Sequence, residues 1–503
     1  MRHLSTGFTM MNCGCAGCGP ELSRRKFLCT TAAGLAAAPL LAASTGAFAQ
    51  QPLSPAPGRP ILIKNGTVLT LDRAIGDFER CDVLIRGSKI AEVRPNIEAA
   101  DAEIIDASNS IVSPGFIDTH RHMWQGILRN IIPDASLAEY FQVIQRTIGW
   151  KYTPDDVYAG VYVSALGAIE AGVTTVLDWS HIQNSPQHTD ANIKALQDAG
   201  VRGVFGYGNP QTESPRFWED SKHKFPDDIK RIRQQYFASD DQLLTLCLSS
   251  PSGPLDQVLK SWAAARDVGA RISIHAGVGE GGKNKLLEQL NDAKALRNDT
   301  TYIHCCTLND TEWKLIADTG GTVSIAGYVE EMMGHGTPPV QKAIEMGIRP
   351  SLSVDVETSV PGDLFTQMRT ALSLQRNAIW SRGLAGEKNL PAFLKTRDVL
   401  EFATVEGARA NGLERKVGTL TPGKDADILL LRTDRLNVMP WNNAVGAVVT
   451  SMDTSNVDTV LIAGKVRKRG GQMVGVDMAR VTKLVNEARD RAIAASGYKG
   501  ARI

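Results

Sequence analysis

The sequence predicts an α/β protein: a (β/α)8 barrel of the TIM type, joined to a small β-sandwich built from both chain ends. Three observations carry this. Between residues 111 and 354 short apolar runs alternate with helix-patterned segments, the signature of βα units around a parallel sheet. Eight such runs are present, the number that closes a barrel. Before and after them the chain reads as strand after strand with turn punctuation, and neither stretch is long enough for a comfortable core of its own. The rival is an open doubly wound sheet.

In chain order, residues 1–49 stand outside the fold. Ser23-Arg24-Arg25-Lys26-Phe27-Leu28 places paired arginines before a small-residue apolar run from Cys29 to Leu41, and Ala47-Phe48-Ala49 supplies an A-x-A cleavage pattern. This reads as a twin-arginine signal peptide, so a bacterial protein delivered to the Tat export machinery and found in the periplasm or secreted is expected. The apolar run is short and rich in Ala and Gly, which argues against a membrane anchor. Residues 58–113 form the first part of the sandwich, with strands at 61–66, 83–87 and 90–93. Asn65-Gly66 and Arg86-Gly87 are the turn signals. Residues 114–412 form the barrel; its strands are read at 111–118, 174–178, 201–207, 243–249, 271–275, 301–304, 322–326 and 350–354. Residues 413–472 complete the sandwich with strands at 417–420, 426–431, 457–462 and 464–468. Residues 473–503 are a C-terminal amphipathic helix, from 477 to 496, and a polar tail.

Composition narrows the function. The 503 residues carry 55 Lys+Arg against 54 Asp+Glu, a formal net charge of +1. No basic stripe favours nucleic acid, and a small, uncharged or modestly polar substrate fits this balance. A homo-oligomer is compatible with such a chain. Of the eight cysteines, Cys13, Cys15, Cys18 and Cys29 lie in the leader and go with it on maturation. Cys81, Cys247, Cys305 and Cys306 are too scattered to staple a domain and read as small buried hydrophobes.

The chemistry sits at strand ends. His120 and His122 follow an apolar strand entered through a Pro-Gly turn; side chains alternate along a strand, so both imidazoles point the same way. Two neutral imidazoles side by side are half of a divalent-metal site. His275 ends the fifth strand, His304 the sixth, and Asp355 the eighth. All lie at the C-terminal face, where barrel enzymes build active sites.

Four motifs then carry a resemblance. They are Pro114-Gly115-Phe-Ile-Asp118-x-His-x-His, Glu170-Ala-Gly-Val-Thr-Thr-Val176, Thr404-x-x-Gly407-Ala-x-x-Asn-Gly412-Leu and Gly423-Lys424-x-Ala426-Asp427. Through them the chain resembles the amidohydrolase superfamily, in its cytosine-deaminase-like and triazine-hydrolase-like branch. The resemblance implies metal ligation by His120, His122, His275 and Asp355, with Asp355 also the general base and His304 beside the reacting water. Zn²⁺ is the first choice of ion and Fe²⁺ the second. Binuclear members carry a carboxylated lysine at the end of strand four; residues 243–250 contain none, so a single ion is expected. Deaminases of this branch place a glutamate three residues after the strand-five histidine, where this chain has Val278; Glu280 follows two residues later.

The function expected is metal-dependent hydrolysis of a carbon–nitrogen bond, other than a peptide bond, in a small amide, urea, carbamate or heterocycle. A heterocycle aminohydrolase (deaminase) or ring-halide hydrolase is the alternative, and a non-catalytic scaffold is disfavoured because every ligand is present. His181, Trp124 and Glu280 are the candidate substrate contacts. Glu330, Glu331 and His335 follow strand seven in a loop expected to border the pocket, with no role assignable from sequence.

Overall fold

The structure, a computed structural model, describes residues 58–210 and 224–500. The twin-arginine leader expected over residues 1–49 lies outside the described residues. No helix among the described residues is long and apolar enough to cross a membrane.

The amino-terminal strands are β1 (Ile61–Val68), β2 (Phe78–Arg86), β3 (Lys89–Arg94), β4 (Glu103–Asp106) and β5 (Ser110–Pro114). The barrel strands are β6 (Phe116–Arg121), β7 (Val173–Ser180), β8 (Arg202–Gly208), β9 (Leu244–Ser250), β10 (Arg271–Ala276), β11 (Thr300–His304), β12 (Thr322–Ile325) and β13 (Ser351–Leu352). The chain ends with β14 (Ile428–Arg432), β15 (Val457–Ile462), β16 (Lys465–Arg469) and β17 (Gln472–Met473).

Both chain ends share one hydrogen-bonded sheet, ordered β17-β16-β15-β14-β5-β1-β2-β3, with β4 on the side of β1. The seam between the ends is β5 against β14, antiparallel, with Val112 opposite Leu430. Alternation along these strands sends Ile61, Ile63, Val83, Ile85, Val112, Ile428 and Leu430 into a common core.

The stretch 111–118, read from sequence as one strand, is two. β5 belongs to the sheet and β6 opens the barrel, with Gly115 between them. Gly115 donates its N–H to the Asp427 carbonyl at 3.0 Å. A Cβ there would lie 2.0 Å from Thr174 Oγ1, so only glycine lets the chain change sheets within one residue. A buried Arg202 locks the two parts together: its guanidinium donates to Asp427 Oδ2 (2.9 Å) and to Asp425 Oδ2 (2.9 Å).

The barrel strands run in sequence order from β6 to β13, parallel throughout. Closure between β13 and β6 is made beyond the short last strand. Asp355 N donates to His120 O (2.9 Å), and His122 N donates to Asp355 O (2.8 Å). The backbone stitches that shut the barrel are thus made by the residues singled out as ligands. Below them Thr119 Oγ1 bonds the hydroxyls of Ser324 (2.6 Å) and Ser351 (2.9 Å), a buried polar layer inside the barrel.

Helices follow their sequence signals. The helix Pro154–Glu170 starts at Thr153, whose hydroxyl caps Asp156 N while the Asp156 carboxylate returns to Thr153, with Pro154 at the first helical position. The terminal helix Met478–Ser496 starts from an Asp477 cap, and its Arg491 pairs with the buried Asp156.

Candidate metal centre

Strand β6 is buried along its whole length, and its alternation divides its end residues between two environments. His120 and His122 face the barrel mouth. Arg121, between them, points away into a fully buried ionic cluster. Its Nε donates to Asp118 Oδ2 at 2.8 Å, its Nη1 lies 3.4 Å from Glu357 Oε1, and its Nη2 reaches the Gly362 carbonyl at 2.9 Å. Asp118 Oδ1 in turn accepts from His120 N (3.3 Å) and Val354 N (3.2 Å). One guanidinium therefore ties the first strand to the segment after the eighth, directly beneath the histidines.

Above that cluster, His120 Nε2 lies 3.1 Å from Asp355 Oδ1 and His122 Nε2 lies 3.3 Å from the same oxygen. His275 Nε2 is 3.2 Å from His120 Nε2. These spacings match the ligand–ligand edge of a tetrahedron with bonds of about 2.0 Å, about 3.3 Å. Three overlapping groups each bring one donor atom per residue within 4.8 Å: His120, His275 and His304; His120, His122 and Asp355; and His304, His335 and Asp355. His275 thus joins the centre through His120.

Tautomers make the case for a cation. His122 Nδ1 lies 2.7 Å from the Trp179 carbonyl, which only accepts, so Nδ1 carries the proton. Its Nε2 is then turned to Asp355 Oδ1, 3.3 Å away. A metal ion between them would be held by both, and the carbonyl behind the ring is the orienting partner that metal-bound histidines use. The His120 ring has no partner at Nδ1, which is buried, so it is held through Nε2 alone. Burial pushes His120 down to about 3 and drives His275 well below its ordinary value, so both are neutral donors near neutrality. Burial works against the charge on Asp355, but its contacts with His120 and His122 outweigh it and hold the carboxyl well below the usual range. Neutral nitrogens with one carboxylate suit Zn²⁺ or Fe²⁺.

His304 and Asp355 both take left-handed backbone conformations, φ 72° and 70°, and Cys305 follows at 58°. Such angles are uncommon for residues other than glycine and gather where function over-determines the chain. Here they turn the ends of β11 and of the eighth strand inward. His304 Nδ1 bonds Glu330 Oε1 at 3.0 Å, and Glu330 also accepts from Ala326 N at 2.8 Å. Burial lowers His304, but the Glu330 and Asp355 carboxylates more than compensate, and burial raises the Glu330 carboxyl. Sequence reasoning assigned Glu330 no role, and its type and position after strand seven were the only signals available. His335, likewise unassigned, is buried with Nε2 3.9 Å from Asp355 Oδ2. Glu331 is exposed.

A cavity of about 220 Å³ opens over these groups. Leu137, Tyr140, Phe141, Met333 and Val356 give it an apolar wall, and His181, Ser252 and Val278 complete it with the metal-centre residues. Of the expected substrate contacts, His181 is in this wall; its Nδ1 accepts from Trp124 Nε1 at 3.2 Å, and Gln145 abuts its Nε2. Trp124 is corrected to a packing and orienting role: it is fully buried, outside the cavity lining, and its ring edge meets Tyr152. Glu280 is corrected outright. Its side chain is 86% exposed and pairs with Lys283 on the surface, because residues 279–284 form a turn that carries it away from the mouth. Val278 faces the cavity instead. Cys247 and Cys305 are buried and unbridged; Cys306 is partly buried and also free.

Comparison with known proteins agrees with this architecture. The Amidohydrolase family matches residues 111–467. A 5'-deoxyadenosine deaminase of Methanosarcina mazei is 28% identical over 449 residues, covering 86% of this chain and 98% of its own. A 5-methylthioadenosine/S-adenosylhomocysteine deaminase of Pyrococcus horikoshii is 26% identical, covering 84% and 97%. Among solved structures, an atrazine chlorohydrolase from Arthrobacter aurescens TC1 complexed with zinc superposes with a TM-score of 0.74 at 21% identity, covering 85% of this chain and 100% of that one. An adenosine deaminase from Xanthomonas campestris with bound zinc gives 0.73 at 18%, covering 86% and 98%. With a parallel eight-stranded barrel, a sheet drawn from both ends and histidines converging on a buried aspartate, the chain belongs to the amidohydrolase family and is a hydrolase of non-peptide carbon–nitrogen bonds.

Proposed function

We propose that this site hydrolyses a carbon–nitrogen bond of a small, planar, largely uncharged amide, urea, carbamate or heterocycle, with one divalent ion held by His120, His122, His275 and Asp355. The observation that carries the reading is His122 Nε2, its Nδ1 turned to the Trp179 carbonyl, facing Asp355 Oδ1 at 3.3 Å in the cavity wall. Zn²⁺ is the first choice and Fe²⁺ the second. When bound, the ion supplies Lewis acidity that brings the pKa of water toward neutrality. Asp355, ionised and turned to the cavity, accepts the proton of the attacking water. His304, oriented by Glu330, presents Nε2 to the reacting group and steadies the oxyanion as it develops. The apolar wall packs a flat ring and displaces bulk water.

A second reading, a heterocycle aminohydrolase, is favoured by the relatives named as deaminases. With Glu280 at the surface, the proton for a leaving amine would come from the His304–Glu330 pair. A panel of purines, pyrimidines, triazines, ureas and carbamates, assayed for ammonia and by mass spectrometry of products, separates the two. Ammonia from a ring amine selects the second reading. No turnover on any member, with metal content unchanged in His122→Ala, refutes both. We further propose export by the twin-arginine route, as the Arg24-Arg25 leader suggests; cell fractionation with Arg24→Lys/Arg25→Lys as control tests it.

A further inference from the structure

A cleft of about 680 Å³ lies away from the reaction site, at the opposite end of the barrel. Ala199, in its wall, leads into the start of β8, whereas the histidines gather where the barrel strands end. Three cations line this cleft, Arg59, Lys465 and Arg467, against one carboxylate, Asp198. We propose that it binds a small organic oxyanion, a carboxylate or phosphate carried on an apolar body, with Arg467 as the anchor.

The charges in the cleft are unequally matched. Alternation along β16 buries Val466 and Lys468 on one face and puts Lys465, Arg467 and Arg469 on the other. Arg469 has a carboxylate partner, Glu103, but Arg467 has no side-chain hydrogen bond or ion pair among the described residues. Its Nε is nonetheless sealed from water without an acceptor. Burial accordingly pulls this guanidinium below its ordinary value, with no carboxylate to offset it. Arg59 directs its guanidinium to the Asp101 and Ala102 carbonyls, both at 3.3 Å. The one carboxylate, Asp198, is already engaged by Lys194 and by the Tyr158 hydroxyl.

A partly buried charge without a partner is costly, and the planar fork of an arginine fits an oxyanion through two parallel bonds. The guanidinium rests on Gly200, where a Cβ would fall 2.4 Å from Arg467 Cζ, at the carbonyl end of the helix Pro186–Ala199. That helix end offers the cation roughly half an elementary charge but no hydrogen-bonded acceptor. The leader side of the chain supplies no carboxylate either: between Glu21 and Gly58 there is no Asp or Glu. Val466, Met473, Val474 and Val476 give the cleft an apolar side for the body of the ligand. Tyr162, stacked on Tyr158 with ring centroids 5.6 Å apart, adds a flat face. Burial raises the Tyr162 phenol, so its hydroxyl stays protonated and able to donate. The volume is that of a small-molecule site.

The test is a calorimetric titration of the full-length protein with phenylphosphonate, which joins an oxyanion to a ring and has no carbon–nitrogen bond. One saturable site is expected, present equally in the wild type and in His122→Ala. Arg467→Met is expected to weaken it by at least about 10-fold, the worth of a hydrogen-bonded charge, and Arg467→Lys by less. Benzyl alcohol, without the charge, and inorganic phosphate, without the ring, are each expected to bind at least about 10-fold more weakly. Without ligand, Arg467→Met is expected to melt no lower than the wild type, because an unpaired charge has been removed. Absence of saturable binding in the wild type overturns the proposal. So does binding that Arg467→Met leaves unchanged, or that His122→Ala abolishes, which would place the ligand at the barrel mouth. Inorganic phosphate binding as tightly as phenylphosphonate overturns the organic ligand. Every one of these results leaves the hydrolase reading standing.

Discussion

Replacing Arg121 by methionine keeps the volume and removes the charge, leaving Asp118 without the donor to its Oδ2 and Glu357 with Arg129 as its remaining guanidinium partner, at 2.9 Å. Arg121 and Asp118 are both fully buried, and stripping one partner from a buried pair costs about 3–5 kcal/mol. Asp118 Oδ1 keeps two backbone donors, though long ones at 3.3 and 3.2 Å, which places the expected cost near the lower end, about 3 kcal/mol. The sign of the pH dependence follows from Asp118, whose carboxyl burial already raises and Arg121 holds down. Without Arg121 its folded-state value rises further above the unfolded one, so protonation favours the folded variant. The penalty therefore shrinks on acidification and is full at pH 8. Urea unfolding of metal-free protein, followed by the fluorescence of its eight tryptophans, reads this directly. The double variant Arg121→Met/Asp118→Asn is expected to recover part of the loss, because no charge is left buried. A cost under about 1 kcal/mol at pH 8, or one that grows as pH falls, would refute the reasoning.

His122→Ala is expected to lose the metal ion, with affinity down more than about 100-fold, beyond the usual effect of an orienting partner; metal analysis after dialysis checks it. Acid is expected to destabilise the metal-free protein. His120 and His335, held by burial at about 3 and about 4, contribute stability that is full above the ordinary 6.5 and is lost as pH falls toward those values. The slope is at most about 1.4 kcal/mol per pH unit for each group, read from urea midpoints between pH 7 and 4. Glu280→Gln is expected to leave kcat and KM unchanged on any substrate the panel finds, since the side chain stands in solvent; a marked fall in kcat would return that residue to the site. Gly115→Ala is expected to destabilise by about 1–3 kcal/mol through overlap with Thr174, measured by the same unfolding assay.

The sequence made the barrel legible because each βα unit repeats its own period, and the ligands legible because histidines at strand ends stand out against apolar runs. His120, His122, His275, His304 and Asp355 do converge. What it hid was direction off the regular elements. Glu280 lies five residues from His275, yet a single turn after β10 sends it to solvent. Trp124 directly follows the first-strand pair region, but the buried turn Met123–Leu128 folds it under the site instead of over it. Glu330 and His335 reach the centre from a loop whose path depends on packing against β11, and no local periodicity encodes that. The split of 111–118 into two strands was hidden for a related reason: an apolar run is equally at home in either sheet, and the contact between Gly115 and Thr174 is visible only once both parts are in place.

The seam between β5 and β14 has a consequence for synthesis. The ribosome delivers β1 to β5 before any of the barrel exists, and their completing partner emerges only after it. Throughout that interval the nascent amino-terminal sheet carries an open edge, able to pair with another chain. A polypeptide interrupted ahead of β14 keeps that edge for good. The sheet is therefore sealed by a strand made only after the barrel, and copies terminated ahead of it are those expected to aggregate.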